Sequence, residues 1–226
     1  MPTYKNVIVS PHLDDAYFSL GGMLYNDRHE RQKVVDVFTV SEHEADDFTR
    51  GRHETTRARK AEEMINGRII GADTVFLDEL DAPLRGYQRV KVAPNAKRDR
   101  AMIARVEKRL ANEIKGCKRV FFPLGIGGHV DHRIVHRMGM RLLGNNKNFY
   151  FYEDLPYAVR YARPRFDSSE YRARKELMPI QIFDKLSLAN TYETQMIPRI
   201  PLGIFAHSLR VGRGKFCERV WHVVRV

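Results

Sequence analysis

The feature that most constrains this chain is a regular alternation of short apolar runs and amphipathic stretches. Val7-Ile8-Val9 has the look of a buried strand that stops at Ser10-Pro11. Residues 15–30 follow as a helix, with Phe18, Leu20, Leu24 and Tyr25 on its apolar side. Residues 34–40 give a second strand. Residues 54–66 give a second helix, which Asn66-Gly67 is expected to stop. A third strand at 74–77 leads into a turn-rich loop. A third helix at 98–115 carries Ile103, Val106, Leu110 and Ile114 at steps of three and four. Then come a strand at 120–123, a glycine loop at 125–128, a helix at 130–143 and a strand at 149–152. Strands and helices in this order predict an α/β fold, a mostly parallel sheet with helices on both faces.

After Asp154 the pattern thins. Prolines punctuate the last third, a helix is expected over 185–196, and residues 219–226 close as a strand. With no internal repeat and no Gly/Ser linker, one domain over residues 1–226 is the expectation. At 43% apolar and 30% charged residues, wholesale disorder and fibrous folds are excluded. Cys117 and Cys217 lie far apart without a CxxC spacing, so neither a zinc ribbon nor a disulfide framework is present. No run of 18 apolar residues exists, and the first residues lack a signal-peptide pattern. A cytoplasmic protein without a membrane role is the expectation.

Ligands of open parallel sheets bind beyond the carboxyl ends of the strands. Two loops there hold the chemistry. Pro11-His12-Leu13-Asp14-Asp15 follows the first strand, and Gly127-Gly128-His129-Val130-Asp131-His132 follows the fourth. Imidazole and carboxylate are ligands for a divalent transition ion. Adjacent carboxylates cannot both face one point, so one of Asp14 and Asp15 can bind a metal while the other faces a water. The plain alternative is that one of them caps the following helix, which leaves His12 unexplained. His129 and His132 are three apart and can share a helix side. Asp131 beside them can fix an imidazole tautomer. His136 completes an HxxxH spacing but lacks the glutamate of HExxH, and reads as a groove histidine one turn down. The composite is two imidazoles and one carboxylate with a free carboxylate beside them, a set suited to metal-assisted hydrolysis.

These residues resemble a known family. Pro-His-Leu-Asp-Asp with Gly21-Gly22 after it, and His-Val-Asp-His at 129–132, resemble the two motifs of the LmbE-like (PIG-L) deacetylases. Stretches at 59–62, 77–83, 152–157, 192–195 and 218–221 are similar to the family as well, so the resemblance runs nearly the whole chain. It implies a Rossmann-like three-layer sandwich, one Zn(2+) ion and hydrolysis of an N-acyl group, usually N-acetyl on an amino sugar. It implies His12, Asp15 and His132 as zinc ligands, and Asp14 as general base. His129 would be a protonated imidazole for the oxyanion or the leaving amine, and Asp131 would orient one of the histidines from behind. Arg59 and Asp81 match positions that contact sugar hydroxyls in some relatives. The alternative for Arg59 is an exposed helix arginine paired with Glu62 or Glu63.

The sequence departs from the pattern in three ways. Ala16 stands where a glutamate is common. Gly127 stands where some members carry a tyrosine, so an auxiliary oxyanion donor must come from elsewhere or is absent. The chain is also short for the family. The net charge of +11, from 39 Lys and Arg against 28 Asp and Glu, raises a competing reading. Residues 157–174 interleave arginines with aromatics, as single-strand nucleic-acid binders do, but no recognised nucleic-acid motif is present. A third reading keeps the metal site and lets a basic rim select a phosphorylated or other anionic substrate. The expected partner is a small N-acylated amino sugar or glycoside, not nucleic acid, with a homo-oligomer left open.

Overall fold

The computed structural model describes residues 3–41, 52–143, 148–159 and 170–226. A seven-stranded sheet runs in the order β3-β2-β1-β4-β5-β7-β6. Its strands are β1 (Asn6–Ser10), β2 (Gln32–Asp36), β3 (Ala72–Phe76), β4 (Arg119–Pro123), β5 (Asn148–Tyr152), β6 (Tyr171–Pro179) and β7 (Cys217–Arg225). The first five are parallel; β7 pairs antiparallel with both β5 and β6. The helices are α1 (Asp15–Asn26), α2 (Arg52–Ile70), α3 (Ala96–Glu113), α4 (Val130–Leu142), α5 (Ile182–Ala189) and α6 (Arg199–Val211).

Side-chain alternation along β1 divides the core in two. Val7 and Val9 pack with Val106 and Leu110 of α3 and Val135 and Met138 of α4. Ile8 packs on the other face with Phe18 and Leu24 of α1 and Leu188 of α5. Burying a strand on both faces is why the parallel strands read as continuous apolar runs. The expected three layers are therefore present. The chain reverses direction across the sheet between β1 and β4, and that switch point is where both motif loops emerge.

Several boundaries differ from expectation for physical reasons. The second helix runs past Asn66-Gly67 to Ile70. Asn66 is buried and donates to the Leu188 carbonyl at 2.9 Å. Gly67 serves close packing inside the helix, since a Cβ there would meet Thr74 Oγ1 at 2.5 Å. The helix ends at Gly71, whose φ of +65° an L-residue resists. The expected helix at 185–196 is α5, which begins at Ile182 and ends at Ala189. β6 and α6 were not foreseen. Pro201 falls in the first turn of α6, where a missing amide costs little. The acidic loop expected over 41–51 lies outside the described residues except for Ser41. Of the basic segment 157–175, residues 160–169 also lie outside them.

Candidate metal centre

The loop after β1 is a tight turn built by its own residues. The Ser10 hydroxyl donates to the His12 carbonyl at 2.6 Å and accepts from the Ala16 amide at 3.2 Å. Asp14 occupies φ 122°, ψ −36° and makes no side-chain bond to the helix it precedes. The capping alternative therefore fails for Asp14. Asp15, the first residue of α1, turns back, and its Oδ2 accepts from the His12 amide at 3.0 Å.

That carboxylate meets two imidazoles. Asp15 Oδ2 is 3.2 Å from His12 Nδ1 and 3.2 Å from His132 Nε2. Each ring is held from behind. His12 Nε2 lies 3.0 Å from Asp131 Oδ2, and His132 Nδ1 lies 2.6 Å from Asp154 Oδ1. Asp131 is itself fixed by the Ala82 amide and Arg85, and Asp154 by the Ile126 amide at 2.9 Å.

Among the described residues, two overlapping groups could hold a metal: His12, Asp15 and His132, or His12, His129 and Asp131. The second is already committed. Asp131 is engaged by Arg85 and the Ala82 amide, and His129 Nδ1 accepts the Asp131 amide at 3.2 Å. The first is open. His132 Nε2 is fully buried and has no hydrogen-bond partner. A buried imidazole nitrogen that makes no hydrogen bond but faces a carboxylate oxygen at 3.2 Å, with its other nitrogen on a second carboxylate, is the arrangement of a metal-ligating histidine. The donor set of His12 Nδ1, Asp15 Oδ2 and His132 Nε2 fits zinc.

The site's electrostatics are strongly perturbed. Burial, then the Asp15 charge, raises Asp14 to about 7. Burial opposes ionisation of Asp15, but His132 and His12 outweigh it and hold its carboxylate far below the usual range. Burial likewise disfavours charge on His12, yet Asp131 and Asp15 lift it to about 9. His132 is raised well above its ordinary value against burial, by Asp15 and Asp154. Asp131 is lowered to about 2 because His12 and Arg85 overcome its burial. Burial and the neighbouring rings push His129 down to about 3. His129 therefore departs from the expected imidazolium. A ring whose Nδ1 accepts the Asp131 amide is neutral and carries its hydrogen on Nε2.

The cleft over this centre has a volume of about 320 Å³, and its walls include Asp14, Arg59, Asp81, His129, Tyr157 and Gln195. The eight expected site residues thus converge on one place. Asp81 is buried at the wall, where one carboxylate oxygen accepts weakly from the Leu84 amide. Arg59 is not the exposed arginine of the alternative reading. It is 7% exposed, and Glu62 bonds Thr194 instead. His136 is the groove histidine expected, with Nδ1 on the Pro123 carbonyl at 2.9 Å.

Two wall residues went unassigned in the sequence. Asp154 follows β5, whose carboxyl end the register brings beside β4 through Pro123↔Tyr152. A carboxylate just past a strand end was the signal available. Tyr157 packs edge-on to His132, with ring centroids 5.3 Å apart. Gly127 makes this contact available. With φ at +87°, a Cβ there would lie 2.7 Å from Tyr157 Cβ and Cγ. The tyrosine ring fills the volume that a side chain at 127 would take.

A family model described as GlcNAc-PI de-N-acetylase (PIG-L) matches residues 7–143, more than half the chain and both motif loops. The chain belongs to the PIG-L family. A curated relative, 2'-N-acetylparomamine deacetylase of Streptomyces fradiae, is 35% identical over 162 residues, 68% of this chain. The match spans 58% of that relative's length. Among solved structures, the A40926 pseudoaglycone deacetylase superposes with a TM-score of 0.80 at 20% identity, covering 99% of this chain and 98% of its own. The zinc-inhibited form of teicoplanin deacetylase gives 0.81 at 19% identity, covering 98% of each chain. At these identities the structures establish the PIG-L fold alone.

Proposed function

We propose that this PIG-L chain is a zinc-dependent hydrolase that removes an N-acetyl group from an amino-sugar-containing small molecule. The observation that carries the reading is the buried His132 Nε2, without a hydrogen bond and in one group with His12 Nδ1 and Asp15 Oδ2, beside a second carboxylate that no cap bond engages. The deacetylase named among its relatives supports it.

An amide is a poor electrophile, and its amine leaves only when protonated. Zinc held by His12, Asp15 and His132 would supply Lewis acidity for the amide carbonyl and for the attacking water. Asp14 takes the proton of that water on its carboxylate. The same carboxyl then returns the proton to the nitrogen as the C–N bond breaks. His129 donates Nε2–H to the oxygen on which negative charge develops. Tyr157 is the second donor on that side. Burial and the carboxylates Asp15, Asp14, Asp154 and Asp131 raise its pKa, so its hydroxyl keeps its proton. Asp131 and Asp154 hold the two ligand rings, and Asp81 receives a sugar hydroxyl or ammonium.

The wall favours a neutral or cationic sugar over an anionic one. Apart from the histidines, Arg59 is the one cation among the described lining residues, and it faces three carboxylates there, Asp14, Asp15 and Asp81. The described basic residues of the segment 157–175 lie elsewhere. Arg172 and Arg174 sit on β6 opposite Val224 and His222, toward the end of the sheet remote from the site. Two cysteines without a CxxC spacing suit a reducing compartment such as the cytoplasm.

The test is acetate release from a panel of N-acetylated amino sugars: neutral, amine-bearing and nucleotide-linked. Release should require metal, with the uncharged and amine-bearing members at least about tenfold faster. No release from any member, or preference for the nucleotide-linked one, overturns the reading.

A further inference from the structure

The turn that presents Asp14 is strained, and although the Asp14 carbonyl accepts the Tyr17 and Phe18 amides at 3.0 and 2.9 Å, its carboxylate makes no bond to the helix. At φ 122°, ψ −36° the residue lies where side chains beyond glycine rarely go. Such a conformation persists only when its surroundings hold it. Arg59 reaches in from α2. Its Nη2 donates to the Leu13 carbonyl at 3.1 Å and lies 3.7 Å from Asp14 Oδ2. Both anchors belong to the two residues that make the turn. The guanidinium is buried, and its Nε has no partner.

The same stretch of α2 grips the opposite wall. Glu62 accepts the Thr194 amide at 2.8 Å and the Thr194 hydroxyl at 2.6 Å. Glu63, fully buried, accepts the Tyr192 hydroxyl at 2.6 Å. One helical turn therefore ties the Asp14 turn to the segment that carries Gln195 into the cleft.

We propose that Arg59 is a positioning residue for Asp14: it clamps the strained Leu13–Asp14 turn so that the carboxylate faces the attacking water. It acts through Asp14 and not as the counter-charge of the substrate. This rests on the deacetylase reading above. A guanidinium suits the task because one planar group reaches a carbonyl and a carboxylate together, which a lysine ammonium on a flexible stem does less well.

A double-mutant cycle with zinc-loaded protein tests it, using Arg59→Lys and Arg59→Gln alone and in an Asp14→Asn background. Each single Arg59 variant should lower kcat by about 30- to 100-fold with KM within about threefold, as small misplacements of a reacting group do. Behind Asp14→Asn, either change should cost less than about threefold, because the two residues act as one unit. Zinc affinity should stay within about threefold, since the ligands are untouched. Hydrogen exchange over residues 11–17 should speed up in both variants, whatever the substrate. A KM increase with kcat retained, full multiplication of the losses, or unchanged exchange in that segment overturns the clamp. Absence of acetate release by the wild type, with faster exchange in the variants, overturns the deacetylase reading and leaves the clamp standing.

Discussion

Each imidazole at the metal position has a carboxylate on its other nitrogen, and the two carboxylates come from different parts of the chain. Asp131 belongs to the same motif as His132 but serves His12; Asp154 serves His132 from the end of β5. A carboxylate behind a ligand histidine fixes the tautomer and raises its basicity. Asp154→Asn should weaken zinc binding by about 10- to 100-fold while leaving the ligand set intact, measured by competition with a chelator. Unchanged affinity would show that the Asp154 contact does not orient His132. The residues we propose as ligands and base were legible in the sequence because His12, Asp14, Asp15, His129 and His132 fall in two short motifs. Asp154 and Tyr157 were not, because only the pairing of β4 with β5 brings them near. The protonation of His129 was not legible either. It depends on the Asp131 amide reaching Nδ1, which follows from the loop's backbone.

Among the elements, α1 is tied down by a buried ion pair. Lys185 of α5 donates to the Ser19 carbonyl at 2.9 Å and to Glu218 of β7 at 2.7 Å. Glu218 in turn accepts the Gly22 and Met23 amides, each at 2.8 Å. The pair binds the Ser19 carbonyl and the Gly22 and Met23 amides, and it joins α1, α5 and β7. Gly22 is required there, since a Cβ would lie 2.5 Å from Ile180 Cγ2. Removing one partner strands a buried charge, so Lys185→Met should cost about 3–5 kcal/mol in denaturant unfolding. A loss below about 1 kcal/mol would mean that Glu218 is held by the two amides alone. The pairing was invisible in sequence because Lys185 and Glu218 each look like ordinary surface residues. β6 was hidden for a related reason. As an edge strand it exposes Arg172, Arg174 and Lys175 and lacks an apolar run.

A second tie joins β5, α6 and β7. Glu153 accepts from His207 Nε2 at 2.9 Å and from Arg219 Nε at 2.6 Å. Burial, chiefly, lowers the His207 pKa and keeps the ring neutral. The unfolded chain therefore takes up more protons as pH falls below the ordinary histidine value of about 6.5. This contribution is complete above that value and is lost as pH falls toward the lowered one. Tm should fall between pH 7 and pH 5, and His207→Gln should flatten that fall. An equal slope in both proteins would remove His207 from the pH response.

Across the molecule, described basic residues stand apart from the chemistry. Lys97, Arg100 and Arg137 line a groove between α3 and α4, on the opposite face of the sheet from α1. The cleft itself is rich in carboxylates. Composition reports the sum of these charges and not their placement, so it could not decide between an anionic and a cationic substrate. Replacing those three residues with Glu should leave kcat/KM for an uncharged substrate within about twofold at moderate salt. A tenfold change would show that this face steers the substrate.

The central claim is that two motif loops, joined at the switch point of a parallel sheet, make a metal centre whose base is Asp14. The most direct measurement is acetate released from an N-acetylated amino sugar by wild type and Asp14→Asn at equal, measured zinc content. The account predicts release by the wild type and a loss of about 100- to 10,000-fold in the variant, with one zinc bound in each. Undiminished release by Asp14→Asn, or none by the zinc-loaded wild type across the panel, would contradict it.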